Sequence, residues 1–137
     1  EDMKAVWTSE NGTTCNLNFV YENDGVVFYP DMIKVKVCEE RGIVTGIEGL
    51  AYCLNHTTRD AGEAAISKAS AKEKLNSEFN VEGSRLTVIP VDGEEVLAYE
   101  FFGTYGDNDY YVYIDAKTGD EVQVLTVIGT KQGKALL

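Results

Sequence analysis

The chain has 137 residues, enough for one compact domain or two small packed halves with a real apolar core. Twelve Lys and Arg stand against 23 Asp and Glu, and the resulting charge of −11 argues against a nucleic-acid partner or docking on an anionic membrane surface. With 44% apolar and 26% charged residues the composition is globular, and no run nears the roughly 18 apolar residues of a spanning helix.

The chain opens at Glu1 with neither an initiator Met nor a signal peptide, and reads as a mature form or an excised piece. Period-two alternation follows. Cys15, Leu17 and Phe19 alternate with Thr14, Asn16 and Asn18, and Ile33, Val35 and Val37 alternate with Lys34 and Lys36. Later runs are 96–101, 110–114 and 122–128. All are rich in β-branched and aromatic residues, as half-buried antiparallel strands require. Asn11-Gly12, Asp24-Gly25, Arg41-Gly42, Asp92-Gly93 and Thr118-Gly119 punctuate them with turn chemistry, so neighbouring strands are predicted to be hairpin-connected.

One stretch breaks the alternation. Residues 61–76, AGEAAISKASAKEKLN, predict a short helix with Ser67 as N-cap and Ala71 and Leu75 as a narrow apolar edge for a sheet. Before it, 55–60 (NHTTRD) reads as a polar connector between two units. A weak repeat supports two units: 33–47 and 110–124 share strand, Gly turn and strand at an offset of 77, so that Val35 matches Val112 and Gly42 matches Gly119. The first copy has no helix before it, which leads us to expect a cut inside a unit and an open edge or bare apolar face.

The inventory for catalysis is thin. The single histidine, His56, excludes a multi-His metal site, and an extended 53–56 segment would turn Cys53 away from it. Carboxylate pairs at Glu39-Glu40, Glu94-Glu95, Asp107/Asp109 and Asp120-Glu121 occupy expected hairpin tips, where solvent keeps them from acting as a catalytic dyad. Glu100 alone lies inside an apolar run. Residues 106–109 (GDND) lack the spaced ligands of a calcium loop, and no phosphate-binding glycine motif occurs. Of the three cysteines, Cys15 and Cys38 read as small hydrophobes in strands; one disulfide stays open, its partners unassigned. We therefore expect no catalytic residue, no metal and no cofactor. Alternation in 110–114 puts Tyr111 and Tyr113 on the face opposite Val112 and Ile114. If that latter face meets the helix, Tyr111 and Tyr113, with Tyr99 nearby, stand on an open sheet face as candidate partner-binding residues, or serve as cross-strand stabilising pairs.

Three strings carry a family likeness: GVVFYPDMIKVKV at 25–37, AYCLNH with the following Arg at 51–59, and YYVYIDAKTGDEVQVL at 110–125. They resemble the C-terminal, PepSY-repeat region of YpeB-type spore germination proteins over nearly the whole chain. The last string is a general PepSY signature, whereas YPDMIKVKV is specific to that family. The resemblance implies an extracytoplasmic protein on the outer side of the inner spore membrane, in the cortex region, held by an N-terminal anchor absent from this chain. It also implies a role beside a SleB-type cortex-lytic enzyme, which the PepSY part would stabilise, localise or restrain until germination. The family has no assigned catalytic residues to carry over.

The expected fold class is therefore α+β: antiparallel sheets in two PepSY-like units, with one short helix packed on the second sheet. A partial all-β unit would cover 1–56, a connector 57–62, and a complete helix-plus-sheet unit 63–137. The expected function is a non-enzymatic protein-binding module with a SleB-type hydrolase as partner. The alternative is direct recognition of peptidoglycan through exposed tyrosines and turn carboxylates.

Overall fold

The computed structural model describes residues 2–130 and 133–136, with side chains to residue 128. In chain order the elements are β1 (Met3–Asn11), β2 (Thr14–Asn23), β3 (Val26–Cys38), β4 (Ile43–Glu48), α1 (Leu50–Asn55), α2 (Lys68–Lys72), β5 (Asn80–Val91), β6 (Glu94–Tyr105), β7 (Asn108–Asp115), β8 (Glu121–Thr130) and β9 (Gly133–Leu136). The chain divides into two compact units. One ends at Arg59 and also takes in Gly129–Ala135; the other runs mainly from Asp60 to Ile128.

In the first unit β1, β2, β3 and β4 pair in sequence order, each antiparallel to the next. The β2–β3 turn places both Asp24 and Gly25 at positive φ, the conformation that matches a two-residue loop to the twist of the strands it joins. Two irregularities shape the sheet. In β1 two residues, Val6 and Trp7, oppose one on β2, and the Asn18 side chain fills the gap by donating to the Trp7 carbonyl at 3.0 Å. In β3 the register jumps from Met32 to Phe28 against the consecutive pair Val20 and Tyr21. Tyr29, Pro30 and Asp31 are therefore surplus to the ladder, and Pro30, which has no N–H to offer, sits where none is needed. Val20, Val26, Val27 and Phe28 form the buried apolar core of this unit.

The second unit repeats the plan with β5, β6, β7 and β8, again antiparallel neighbours in order. Its β7–β8 hairpin reproduces the β3–β4 hairpin pair for pair. Val35 pairs with Ile47 and Val112 with Val124; Lys36 pairs with Gly46 and Tyr113 with Gln123. The ladder then slips at the same place in both, to Val37 opposite Val44 and to Ile114 opposite Glu121. The offset of 77 thus holds through strand, turn, strand and bulge.

Both helical regions depart from the sequence reading. The first segment is not all strand: Leu50–Asn55 forms α1, so one short helix is not the full count and 55–60 is not a plain connector. The signal was absent locally, because the N-cap Gly49 makes no side-chain cap and six residues carry too little periodicity. The second helix is shorter than 61–76. Ser67 does cap it, accepting from the Ser70 N–H at 3.1 Å, but the N–H groups of Ala65 and Ile66 both donate to the Ala116 carbonyl, so the chain bends there and is not yet helical. Ala71 is fully buried, and Leu75 is half-buried in the turns after the helix. The thiols are all free. Cys15 lies opposite Val37 and Cys38 opposite Thr14, so the two cysteines point to opposite faces of the sheet and cannot bridge.

At the far end of β6 the two strands come close: a Cβ on Gly103 would collide with the Asn80 carbonyl. Gly103→Ala is therefore expected to lower the unfolding free energy by about 2 kcal/mol, the scale of an overpacked site, as read from a urea denaturation midpoint.

Candidate functional site

The three tyrosines do not form an open row. Tyr99 pairs with Ile114, and Phe101 with Val112, so Tyr99 lies on the opposite face of the second sheet from Tyr111 and Tyr113. It is only 9% exposed, and its hydroxyl donates to the Ile66 carbonyl at 2.9 Å, where it pins the chain entering α2. Tyr113 is 3% exposed. The expected exposure of Tyr99 and Tyr113 is thus corrected: each phenol body is needed as core. Tyr111 is half-buried, its ring 5.9 Å from Phe102. Burial lifts its hydroxyl above the ordinary phenol range; Glu100 and Asp109 add to that, and Arg85 opposes it. Glu100 itself is fully buried and meets Arg85 Nε at 2.8 Å, which makes it half of an ion pair inside the sheet.

The first unit holds a polar cluster that sequence reasoning missed. The surplus residues of β3 turn Asp31 inward until it is completely buried. Arg59 meets it with both ends of its fork, Nη2 to Oδ1 at 2.6 Å and Nη1 to Oδ2 at 3.0 Å. His56 Nδ1 lies 2.7 Å from the same Oδ2. A carboxylate oxygen only accepts, so this bond is made with a proton on His56 Nδ1. The His56 ring stacks on Tyr52 at 4.4 Å and meets the edge of Tyr21 at 4.7 Å, while Arg59 lies 4.8 Å over Phe28. His56 is therefore built into this cluster and partly buried. Cys53 is exposed on α1, so the segment expected to be extended from Cys53 is helical as far as Asn55. The one hint of the cluster in the sequence was the acid that follows Pro30 between the apolar runs of β3.

The carboxylates of the expected acidic pairs lie in solvent. Glu39, Glu40, Glu94, Glu95, Asp107, Asp109, Asp120 and Glu121 are all exposed. Burial, with Glu39 and Glu10 adding to it, pushes the Cys15 thiol up, away from the thiolate a nucleophile needs. Among the described residues no three His, Cys, Asp or Glu side chains gather as a metal site, and no helix is long and apolar enough to cross a membrane.

What the first unit offers outward is apolar. β4 is paired on one side only, by β3, among the described residues. Val44 is 56% exposed and Ile47 72%, and Leu50 and Leu54 on α1 continue the exposed apolar side chains beyond the strand. A strand paired on one side only, beside solvent-facing Val, Ile and Leu, leaves apolar area in contact with water.

The hairpin plan shared by the two units leads to a class. A family described as "YpeB sporulation, PepSY1 and PepSY2 domains" matches residues 1–62, and one described as "Peptidase propeptide and YPEB domain" matches residues 64–124. These are PepSY domains. Sporulation protein YpeB of Halalkalibacterium halodurans is 39% identical over 90% of this chain, and its counterpart in Bacillus subtilis 36% over 78%. The solved Bacillus megaterium YpeB C-terminal domain superposes with a TM-score of 0.86 at 38% identity over 92% of this chain and 57% of its own. The chain belongs to the YpeB family of sporulation proteins and corresponds to its PepSY region. It spans about a quarter of the length of the curated relatives it matches, 28% and 24% for the two named here.

Asp31→Asn removes the charge that balances Arg59 and leaves a cation facing a buried amide; the expected loss is about 3 kcal/mol in urea denaturation, the low end for a broken buried pair because Arg59 keeps some solvent. Tyr111 gives a pH test. The folded state keeps its proton in a window above about pH 10 where the unfolded chain has lost it, so stability falls as pH rises through that window. Tyr111→Phe is expected to lose less stability there than the parent chain, measured by thermal unfolding across the alkaline range.

Proposed function

We propose that this PepSY region is a non-enzymatic protein-binding module that stabilises, localises or restrains a SleB-type cortex-lytic enzyme until germination, on the outer side of the inner spore membrane. The observation that carries the reading is the β4–α1 surface: among the described residues Val44, Ile47, Leu50 and Leu54 are exposed beside a strand that is paired on one side only. Water meets apolar side chains there at a cost of about 25 cal/mol per Å², which a partner's surface would recover. Membership of a sporulation family supports the setting.

The polar clusters support a structural rather than a reactive role. His56 has its Nδ1 committed to Asp31 and one ring face covered by Tyr52, and Asp31 is shared with Arg59. A hydrolytic His–Asp pair leaves the carboxylate free to orient the imidazole alone and aims the second nitrogen at a nucleophile. Here the carboxylate holds a guanidinium and ties the end of α1 to β3. Of the three tyrosines, Tyr111 is the one that keeps solvent-facing surface, and it is retained as a secondary contact.

Co-purification with a SleB-type lysin tests this. The chain is expected to retain the lysin, Ile47→Asp to lose it, and Tyr111→Ala to weaken it by a smaller factor. Retention on purified cortex with no protein partner, alongside failure to hold the lysin, would favour peptidoglycan as the ligand and overturn the reading.

A further inference from the structure

The described residues of the second unit enclose a pocket of about 290 Å³, with every lining residue between Leu75 and Val124. Phe101, Gly103 and Tyr105 share one face of β6 by alternation, where Phe101 pairs with Val112 of β7 and Gly103 with Tyr110. At Gly103 the Asn80 carbonyl takes the space of a Cβ, which lays the segment before β5 over this face. That segment is itself fixed. Asn76 Oδ1 accepts from the Glu78 N–H at 2.9 Å, and the Asn76 carbonyl accepts from the Phe79 N–H at 3.0 Å.

Three kinds of surface meet in the pocket. Leu75, Val112 and Val124 supply an apolar floor. Phe79, Tyr105 and Tyr110 add rings, and the two tyrosine rings stand 6.5 Å apart at 74°, which makes a corner of them. Glu121 brings a carboxylate that is open to solvent. A second carboxylate is held close by, where the Tyr105 hydroxyl donates to Glu78 Oε2 at 3.3 Å.

Charge and shape together select a class of ligand. Asp120 adjoins Glu121, and Lys74, whose Cε lies 3.5 Å from the Cβ position of Gly119, sets one cation against these three carboxylates. Lys117 is turned toward Gly62, its Nζ 4.0 Å from the Cβ position there. The balance favours a positively charged ligand. An apolar floor suits a hydrocarbon stem better than a sugar ring, whose hydroxyls would lose water over Leu and Val without compensation. The rings favour a flat cation. A guanidinium stacks on a tyrosine face and directs its N–H groups to a carboxylate, whereas an ammonium holds its water more tightly.

We infer that this pocket takes an arginine side chain of a protein partner. Its methylene stem lies over Leu75, Val112 and Val124, its guanidinium rests against Tyr105 and Tyr110, and Glu121 is its ion-pair partner. The inference rests on the reading of the chain as a protein-binding module and adds to it one contact of stated chemistry. Arginine seated among aromatic rings is a common form of interface hot spot.

The probe is Nα-acetyl-arginine methylamide, titrated into the intact chain while backbone amide shifts are followed by 1H–15N NMR. Saturable shifts confined to residues around 75–79, 105–112 and 121–124 are expected, with an affinity on the order of 1 mM for a single side chain. The uncharged citrulline analogue is expected to bind at least fivefold more weakly, and the lysine analogue at least threefold. Glu121→Gln and Tyr105→Ala are each expected to weaken the arginine probe at least threefold. Both side chains are exposed, and unchanged amide shifts elsewhere in the spectrum will show that the variants fold. Absence of saturable shifts, equal binding by the citrulline or the lysine analogue, or indifference to Glu121→Gln would each overturn the inference. So would N-acetylglucosamine moving the same amides at lower concentration, since the pocket would then be a sugar site. The two readings fail separately, because the probe needs no lysin: a chain that holds the lysin but ignores the probe sinks the pocket, whereas a chain that binds the probe but holds no lysin sinks the module.

Discussion

A two-layered requirement governs this molecule: a twisted β-hairpin has two faces, and an apolar face must be covered by something. Ladder hydrogen bonds hold each hairpin together, but they are satisfied in the plane of the sheet and say nothing about what lies above it. In the second unit the cover is a five-residue helix and the turns after it. So short a helix cannot stand by its own hydrogen bonds. It is fixed from outside: Ser67 caps it, Tyr99 holds the Ile66 carbonyl, and Ala116 holds the N–H groups of Ala65 and Ile66. The sheet therefore makes the helix as much as the helix covers the sheet.

The first unit solves a different problem with electrostatics. Three surplus residues in β3 push Asp31 out of the ladder, and a buried carboxylate must be paired or it destabilises the fold. Arg59 and His56 supply that pairing from the segment after α1, so the bulge, the helix end and the aromatic shelf of Tyr21, Phe28 and Tyr52 form one unit of structure. A bidentate guanidinium fixes direction as well as distance, which an ammonium would not. The same residues that look like the orienting part of a catalytic triad serve as a bracket. Geometry, and not residue identity, separates the two roles.

These two solutions leave the molecule with an asymmetric surface. Among the described residues Ile47 is more exposed than its counterpart Val124, although the pairing register is shared down to the bulge. Family membership places the chain in sporulation, and its net charge of −11 favours contacts that bring lysine or arginine.

Much of this was legible before any coordinates. Alternation is a one-dimensional signal, so the runs at Cys15–Phe19, Ile33–Val37 and Tyr110–Ile114 announced strands, and Asp-Gly pairs announced the turns that join them. The 77-residue repeat announced a shared plan, and the strings at 25–37 and 110–125 its family. The actual roles of Tyr99, Tyr113, Asp31, His56 and Arg59 were not legible. Alternation tells which residues share a face but not which face meets solvent, so Tyr113 and Tyr99 could only be placed once the cover over each face was known. Asp31 meets His56 and Arg59 across 25 and 28 residues of chain, through a bulge that no local pattern encodes. What the sequence determined by itself was local, because backbone pairing and turn conformation depend on near neighbours. What only the tertiary structure decided was burial, because the atoms that exclude water from a side chain arrive from elsewhere in the fold.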